Sequence, residues 1–170
     1  MPAVIAREID VGILAGRVTA SELISYQYAV DELILVAPLN HPISSHKSIR
    51  FESALSLDFV STSENTSNYL FLRQTALQLG KMPNVRLHVH HFNAILKLVS
   101  EGVGVALVPK SVARAAIDEK RLAMIRLNES WAVRELTLVV RKTESPSVFV
   151  ETLADFLLSD PLVKETRPSG

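Results

Sequence analysis

Apolar residues in this chain come in short runs, interleaved with stretches in which they return every three or four positions. That alternation of two periods constrains the fold more than any other feature, because strands alternating with helices build layered α/β domains. Leu33-Ile34-Leu35-Val36-Ala37, stopped by Pro38, is the clearest run, and continuous apolarity suits a strand covered on both faces. The same reading gives a buried strand over residues 11–14, cut off by Gly16, and further strands over 103–108, 122–127 and 136–140. Residues 85–89 alternate at period two and also read as a strand, while Asp58-Phe59-Val60 leads into the polar loop 61–67.

Helical spacing begins after that loop. Tyr69, Leu72, Ala76 and Leu79 define a helix over 68–79, with Thr66 or Ser67 as its cap and Gly80 as its stop. Phe92, Ile95, Leu96 and Val99 define a second helix, closed by Gly102, and Pro109 is placed to open a short third one. Phe149, Val150, Leu153, Phe156 and Leu157 form the stripe of a terminal helix, with Ser145 as cap and Pro146 at its first position. Residues 40–48 carry no periodicity and read as a loop, in which His41-Pro42 is a structural turn. The order of elements predicts mainly parallel sheets, a self-contained middle segment over 57–126, and flanks that pair into a second lobe.

With 170 residues, 48% of them hydrophobic, the chain can fill a real core. Its 18 basic and 18 acidic residues balance, so no long-range field favours nucleic acid or an anionic membrane. Cysteine is absent, which removes disulfides, thiol catalysis and thiolate-bound metal. Arg7 and Glu8 interrupt the start before any signal-peptide core forms, and no apolar run reaches membrane-spanning length. The expectation is a soluble, cytoplasmic protein with no membrane partner.

Five stretches resemble the effector-binding, or substrate-binding, domain of LysR-type transcriptional regulators. They are Arg7-Glu8-Ile9-Asp10-Val11-Gly12-Ile13; Asp31-Glu32-Leu33-Ile34-Leu35-Val36-Ala37-Pro38 followed by His41-Pro42; Phe59-Val60 before its polar loop; Glu101-Gly102-Val103-Gly104-Val105-Ala106-Leu107-Val108-Pro109; and Trp131-Ala132-Val133-Arg134-Glu135-Leu136. The resemblance implies a two-lobed fold like that of type 2 periplasmic binding proteins. A first lobe over 1–56 lacks its opening strand and helix, 57–126 is an inserted second lobe, and 127–170 returns to the first. The function implied is sensing of a small, anionic organic effector between the lobes. The signal passes to DNA only through an N-terminal helix-turn-helix that these residues do not contain. Self-association or pairing with family members is implied as well. Two alternatives stand beside this reading: an oligomerisation remnant that senses nothing, and a stand-alone solute-binding protein.

The candidate ligand contacts follow from the polar loop and the strand ends. Ser61, Thr62, Thr66 and Ser67 precede a helix whose free N–H groups and neighbouring hydroxyls can hold an anion, although Thr66 or Ser67 can equally serve only as a cap. His91 stands between a strand and a helix, where the family often places a polar cleft residue, and Asn93 lies in that helix's first turn. Pro109 ends a strand whose carboxyl end faces the cleft. His88, His90 and His91 do not have the spacing of a zinc site, so no metal and no cofactor is expected. Gly102 and Gly104 lack the rest of a phosphate-binding loop; Gly104 instead permits close backbone approach within a sheet. Trp131 is expected to be a packing residue, and Arg134 a solvated sheet-edge arginine rather than a cleft cation. No catalytic triad is apparent, and the chain is not expected to be an enzyme.

Overall fold

The computed structural model describes residues 9–143 and 147–166, so Arg7, Glu8, Ser145 and Pro146 lie outside the described residues. The chain divides into two compact units, one joining the residues up to Asp31 with those from Val133 onward, the other comprising Glu32–Ala132. These limits differ from the boundaries expected at 56/57 and 126/127. Strand β2 (Leu23–Ala37) is the reason: its second half lies between β6 (Ala106–Pro109) and β7 (Ala123–Leu127). Residues 32–56 therefore join the middle segment.

In that second unit, alternate residues of the apolar run face opposite cores. Leu33, Leu35 and Ala37 join Phe51, Phe59, Leu72, Leu107 and Ile125, whereas Ile34 and Val36 join Val60, Ile95, Val99, Ala106 and Val108. Cover on both faces is thus what the continuous apolarity reported. The direction of its partners is another matter. β2 pairs antiparallel with both β6 and β7, against the expected parallel sheet. Parallel pairs occur between β3 (Ser48–Ile49) and β7, and between β4 (Asp58–Thr62) and β5 (Asn84–Val89). Continuous apolarity encodes burial and is silent on strand direction.

Helices follow where the spacing placed them. After α1 (Phe51–Ala54) come α2 (Ser67–Gln78), α3 (Phe92–Ser100) and α4 (Lys110–Asp118). Thr66 caps α2, and Gly80 and Gly102 take left-handed φ values of 68° and 83° just beyond α2 and α3. Residues 40–48 include a 3-10 turn, Pro42–Ser45, whose Ile43 amide donates to His41 Nδ1 at 3.2 Å. Trp131 packs edge-on against Phe51 and Phe71, with ring centroids 5.2 and 5.3 Å away.

Gly104 meets its neighbour as expected. A Cβ there would stand 2.5 Å from the backbone oxygen of Asp58, beside the bonds that join Val105 to β4. Gly104→Ala must push β4 away from Val105, and overpacking of this kind costs about 1–3 kcal/mol. Urea unfolding should show a lower midpoint with an unchanged slope; an unchanged midpoint would mean that β4 yields freely.

The first unit is built on β1 (Val11–Ala15) and β8 (Val133–Arg141), paired antiparallel from Val11↔Val140 to Ala15↔Leu136. Helix α5 (Val148–Ser159) lays Val150, Ala154, Leu157 and Leu158 against Leu138 and Val140, and a short α6 (Pro161–Lys164) follows. β1 was expected to be buried, yet Ile13 is 44% exposed, because among the described residues β8 is its one strand partner. Gly16 N–H bonds to Glu135 and Arg141 N–H to Asp10, so the N–H and C=O groups of Val11, Ile13 and Ala15 point to the outer edge. Arg134 is not solvated as expected: its side chain, 24% exposed, bonds to Asp31 at 2.9 Å across to β2. No helix among the described residues is long and apolar enough to cross a membrane.

Candidate functional site

The parallel pair β4 and β5 directs two chain crossings to the same end of the second unit. Beyond β4 the chain enters α2, and beyond β5 it enters α3, so two helix N-termini arise side by side at the carboxyl ends of parallel strands. In open α/β sheets this is where ligands collect. An open pocket of about 520 Å³ lies there, within the size range of small-molecule sites.

Its walls come from both helix starts. Thr66, Ser67 and Asn68 belong to the α2 end, His91, Phe92 and Asn93 to the α3 end; Thr62, His90 and Val112 complete it. Thr66 Oγ1 accepts the Tyr69 amide at 3.4 Å, and its hydroxyl donates to Ser63 O at 2.8 Å. With that proton committed, the Thr62 hydroxyl is the donor in its contact with Thr66. Asn68 Nδ2 donates to Leu107 O at 3.0 Å and ties the α2 start to β6. The amides of Ser67 and Asn68 begin α2, where the helix itself offers no carbonyl. At α3 the capping residue, His91, makes no side-chain bond to the Phe92 and Asn93 amides. Two positive helix ends therefore face one pocket, and neither a carboxylate nor a lysine or arginine lines it. Phe92 and Val112 give it an apolar side.

Of the residues singled out from the sequence, Thr62, Thr66, Ser67, His91 and Asn93 line this pocket together. Ser61 does not; it is 2% exposed, and its Oγ has no hydrogen-bond partner among the described residues. Pro109 caps α4 outside the lining, and Val112, one turn further on, takes part instead. Asn68, His90, Phe92 and Val112 were missed. Asn68 and Phe92 occupy first-turn positions beside residues that were named, so helix-start geometry could have found them; nothing in the sequence marks Val112. The histidines are engaged separately, His88 Nδ1 with Thr62 O at 2.7 Å and His90 Nδ1 with Ser63 Oγ at 3.0 Å. Among the described residues no group of three histidines or carboxylates is placed to hold a metal.

Comparison with known proteins bears on the whole chain. The sequence profile described as "LysR substrate binding domain" matches residues 1–161. Among curated relatives, the HTH-type transcriptional regulator CysL of Bacillus subtilis (strain 168) is 19% identical over 150 residues, covering 86% of this chain and 50% of its own. A probable RuBisCO transcriptional regulator of Phaeodactylum tricornutum is 23% identical over 142 residues, 80% of this chain and 46% of that one. This chain thus spans about half the length of the curated relatives it matches. The effector-binding domain of QuiR in complex with shikimate superposes with a TM-score of 0.72 at 19% identity, over 96% of this chain and 76% of that one. The regulatory domain of CcmR from Synechocystis PCC6803 in complex with 2-PG gives 0.78 at 16% identity, over 96% and 77%.

Proposed function

The chain belongs to the LysR substrate-binding-domain family, and from that premise we propose that it senses a small organic anion held against the paired starts of α2 and α3. Its curated relatives are transcriptional regulators and not enzymes, and solved domains of the same fold carry shikimate and 2-PG. One observation carries the anionic reading: two helix N-termini converge on a pocket that no acidic side chain lines. Backbone amides at the two ends supply donors, their partial positive charges favour an anion, and His91 can add charge when protonated. Phe92 and Val112 suit the carbon skeleton of an organic acid better than a bare ion.

In this reading the chain is the sensory part of a cytoplasmic regulator, and effector binding shifts the population of its conformations. That shift reaches DNA through a helix-turn-helix elsewhere in the regulator. Self-association belongs to the same proposal and is supported by the hydrogen-bonding edge that β1 leaves unpaired among the described residues.

Calorimetry against acetate, benzoate, citrate and shikimate, with inorganic phosphate as the minimal anion, tests the site. Thr66→Ala removes a cap and His91→Ala a wall. Each should weaken the tightest of these acids about five- to thirtyfold, the worth of one or two lost hydrogen bonds, one of them to a charge. Unchanged affinity in both variants would move the site elsewhere. No binding by any member of the panel would favour a domain that has ceased to sense.

A further inference from the structure

We propose that His88, which does not line the pocket, is the residue that positions its Thr62–Thr66 wall. The inference rests on the pocket reading for its consequence but not for its geometry. A register shift puts His88 in place. Phe59 pairs with Val85 and Val60 with Leu87, so Arg86 is an extra residue on β5. Strict alternation from Val85 would turn His88 towards α3; the extra residue turns it towards α2, opposite Ser61 and edge-on to Tyr69 at 4.8 Å. There Nδ1 lies 2.7 Å from the Thr62 carbonyl oxygen. A carbonyl only accepts, so Nδ1 carries the hydrogen and Nε2 is the nitrogen that gains a proton. Nε2 faces Glu64 Oε1 at 3.8 Å, within the same loop. In the neutral ring a lone pair confronts that carboxylate; in the charged ring an N–H does. Among the neighbouring charged and titratable groups, Arg86 pairs with Asp58 at 3.0 Å and His90 with Ser63 at 3.0 Å, while Arg73 lies one turn beyond Tyr69 on α2. Tyr69 presents its ring. The imidazole thus ties β5 to the start and the middle of the loop that carries Thr62 and leads to Thr66.

NMR on the ¹⁵N-labelled chain tests this, with inorganic phosphate as the probe and the Ser67, Asn68, Phe92 and Asn93 amides as reporters. His88→Leu keeps bulk and loses both nitrogens. It should speed amide exchange over residues 62–67 without phosphate and weaken phosphate about three- to tenfold, the worth of one neutral hydrogen bond. His88→Asn, which places an amide donor where Nδ1 lies, should restore most of both effects. Glu64→Gln, which leaves the Nδ1 bond to Thr62 in place, should change loop exchange less than His88→Leu does. An Nε2–H tautomer for His88, or loop exchange unchanged in His88→Leu, would overturn the proposal. If neither phosphate nor any acid of the panel perturbs a reporter in the wild type while His88→Leu still loosens the loop, the anion reading falls and the positioning role stands. Should His88→Leu fail to fold, the wild-type tautomer and the Asn and Gln variants still decide.

Discussion

Phe59→Ala is expected to lower stability by about 3–5 kcal/mol, the usual cost of deleting a buried phenyl group. Phe59 has no exposed surface and packs among Leu33, Leu35, Leu72, Ala76, Val105 and Leu107, where β2, β6 and α2 meet β4. Neither β4, held through the Phe59↔Val105 bridge, nor the helix above it can collapse far into the cavity. Domains are stable by only about 5–15 kcal/mol, so about a fifth or more of the margin disappears. The matched control is Phe149→Ala on α5: that ring is 74% exposed, and its removal should stay within about 0.5 kcal/mol. Urea unfolding followed through Trp131, the sole tryptophan and a residue of the same core cluster, reports directly on the affected unit. The pocket should suffer too, because Thr62 lies three residues along the same strand. A loss below about 1 kcal/mol would mean that the core repacks around the gap in a way these contacts do not suggest.

What could be read in the residues, and what could not, divides along physical lines. Strands buried on both faces and helices with one apolar stripe leave periodic marks, and so α2 and α3 fall where the pattern put them, whereas β4 runs on through Ser61 and Thr62 of the expected loop and β6 begins only at Ala106. The first half of β2 was missed although Ile24, Tyr26, Tyr28 and Val30 alternate with Ser25, Gln27 and Ala29. Its half-exposed surface gave no continuous run to catch the eye. The extra residue on β5 was invisible as well, because Val85, Leu87 and Val89 alternate perfectly in sequence while Val85 and Val89 enter different cores. Strand direction left no mark at all.

The site divides in the same way. Helix starts are legible from capping residues, which is how Thr66 and Ser67 were singled out, while His91 came from the family resemblance and Asn93 from its place in a first turn. Val112 and the His88 contacts arise from chain crossings that periodicity does not encode. Motif resemblance reached the family because five stretches recur in order across the chain. It could not reach the effector, since the walls of this pocket are mostly backbone amides, hydroxyls and histidines that serve many organic acids.

Ser67→Asp is expected to have opposite effects on stability and on binding. Ser67 is the exposed first residue of α2, and its side chain serves no capping bond, which Thr66 already supplies. A carboxylate at a helix start interacts favourably with the macrodipole, by about 0.3–1 kcal/mol, so the variant should be as stable as the parent or slightly more so. The same carboxylate enters a pocket whose attraction for an anion comes from two helix ends, with no lysine or arginine in the lining to offset it. Like charges placed together at a binding site cost several kcal/mol, so phosphate or carboxylate affinity should fall by about a hundredfold or more. Ser67→Asn, which is close in shape and uncharged, should bind within a few-fold of the parent. High salt should recover part of the loss in Ser67→Asp and change Ser67→Asn little, because the pocket is open to solvent and screening reaches it. Thermal unfolding and phosphate titration on the same samples separate the two effects. A stabilised variant that still binds anions would show that the ligand charge is met away from the start of α2.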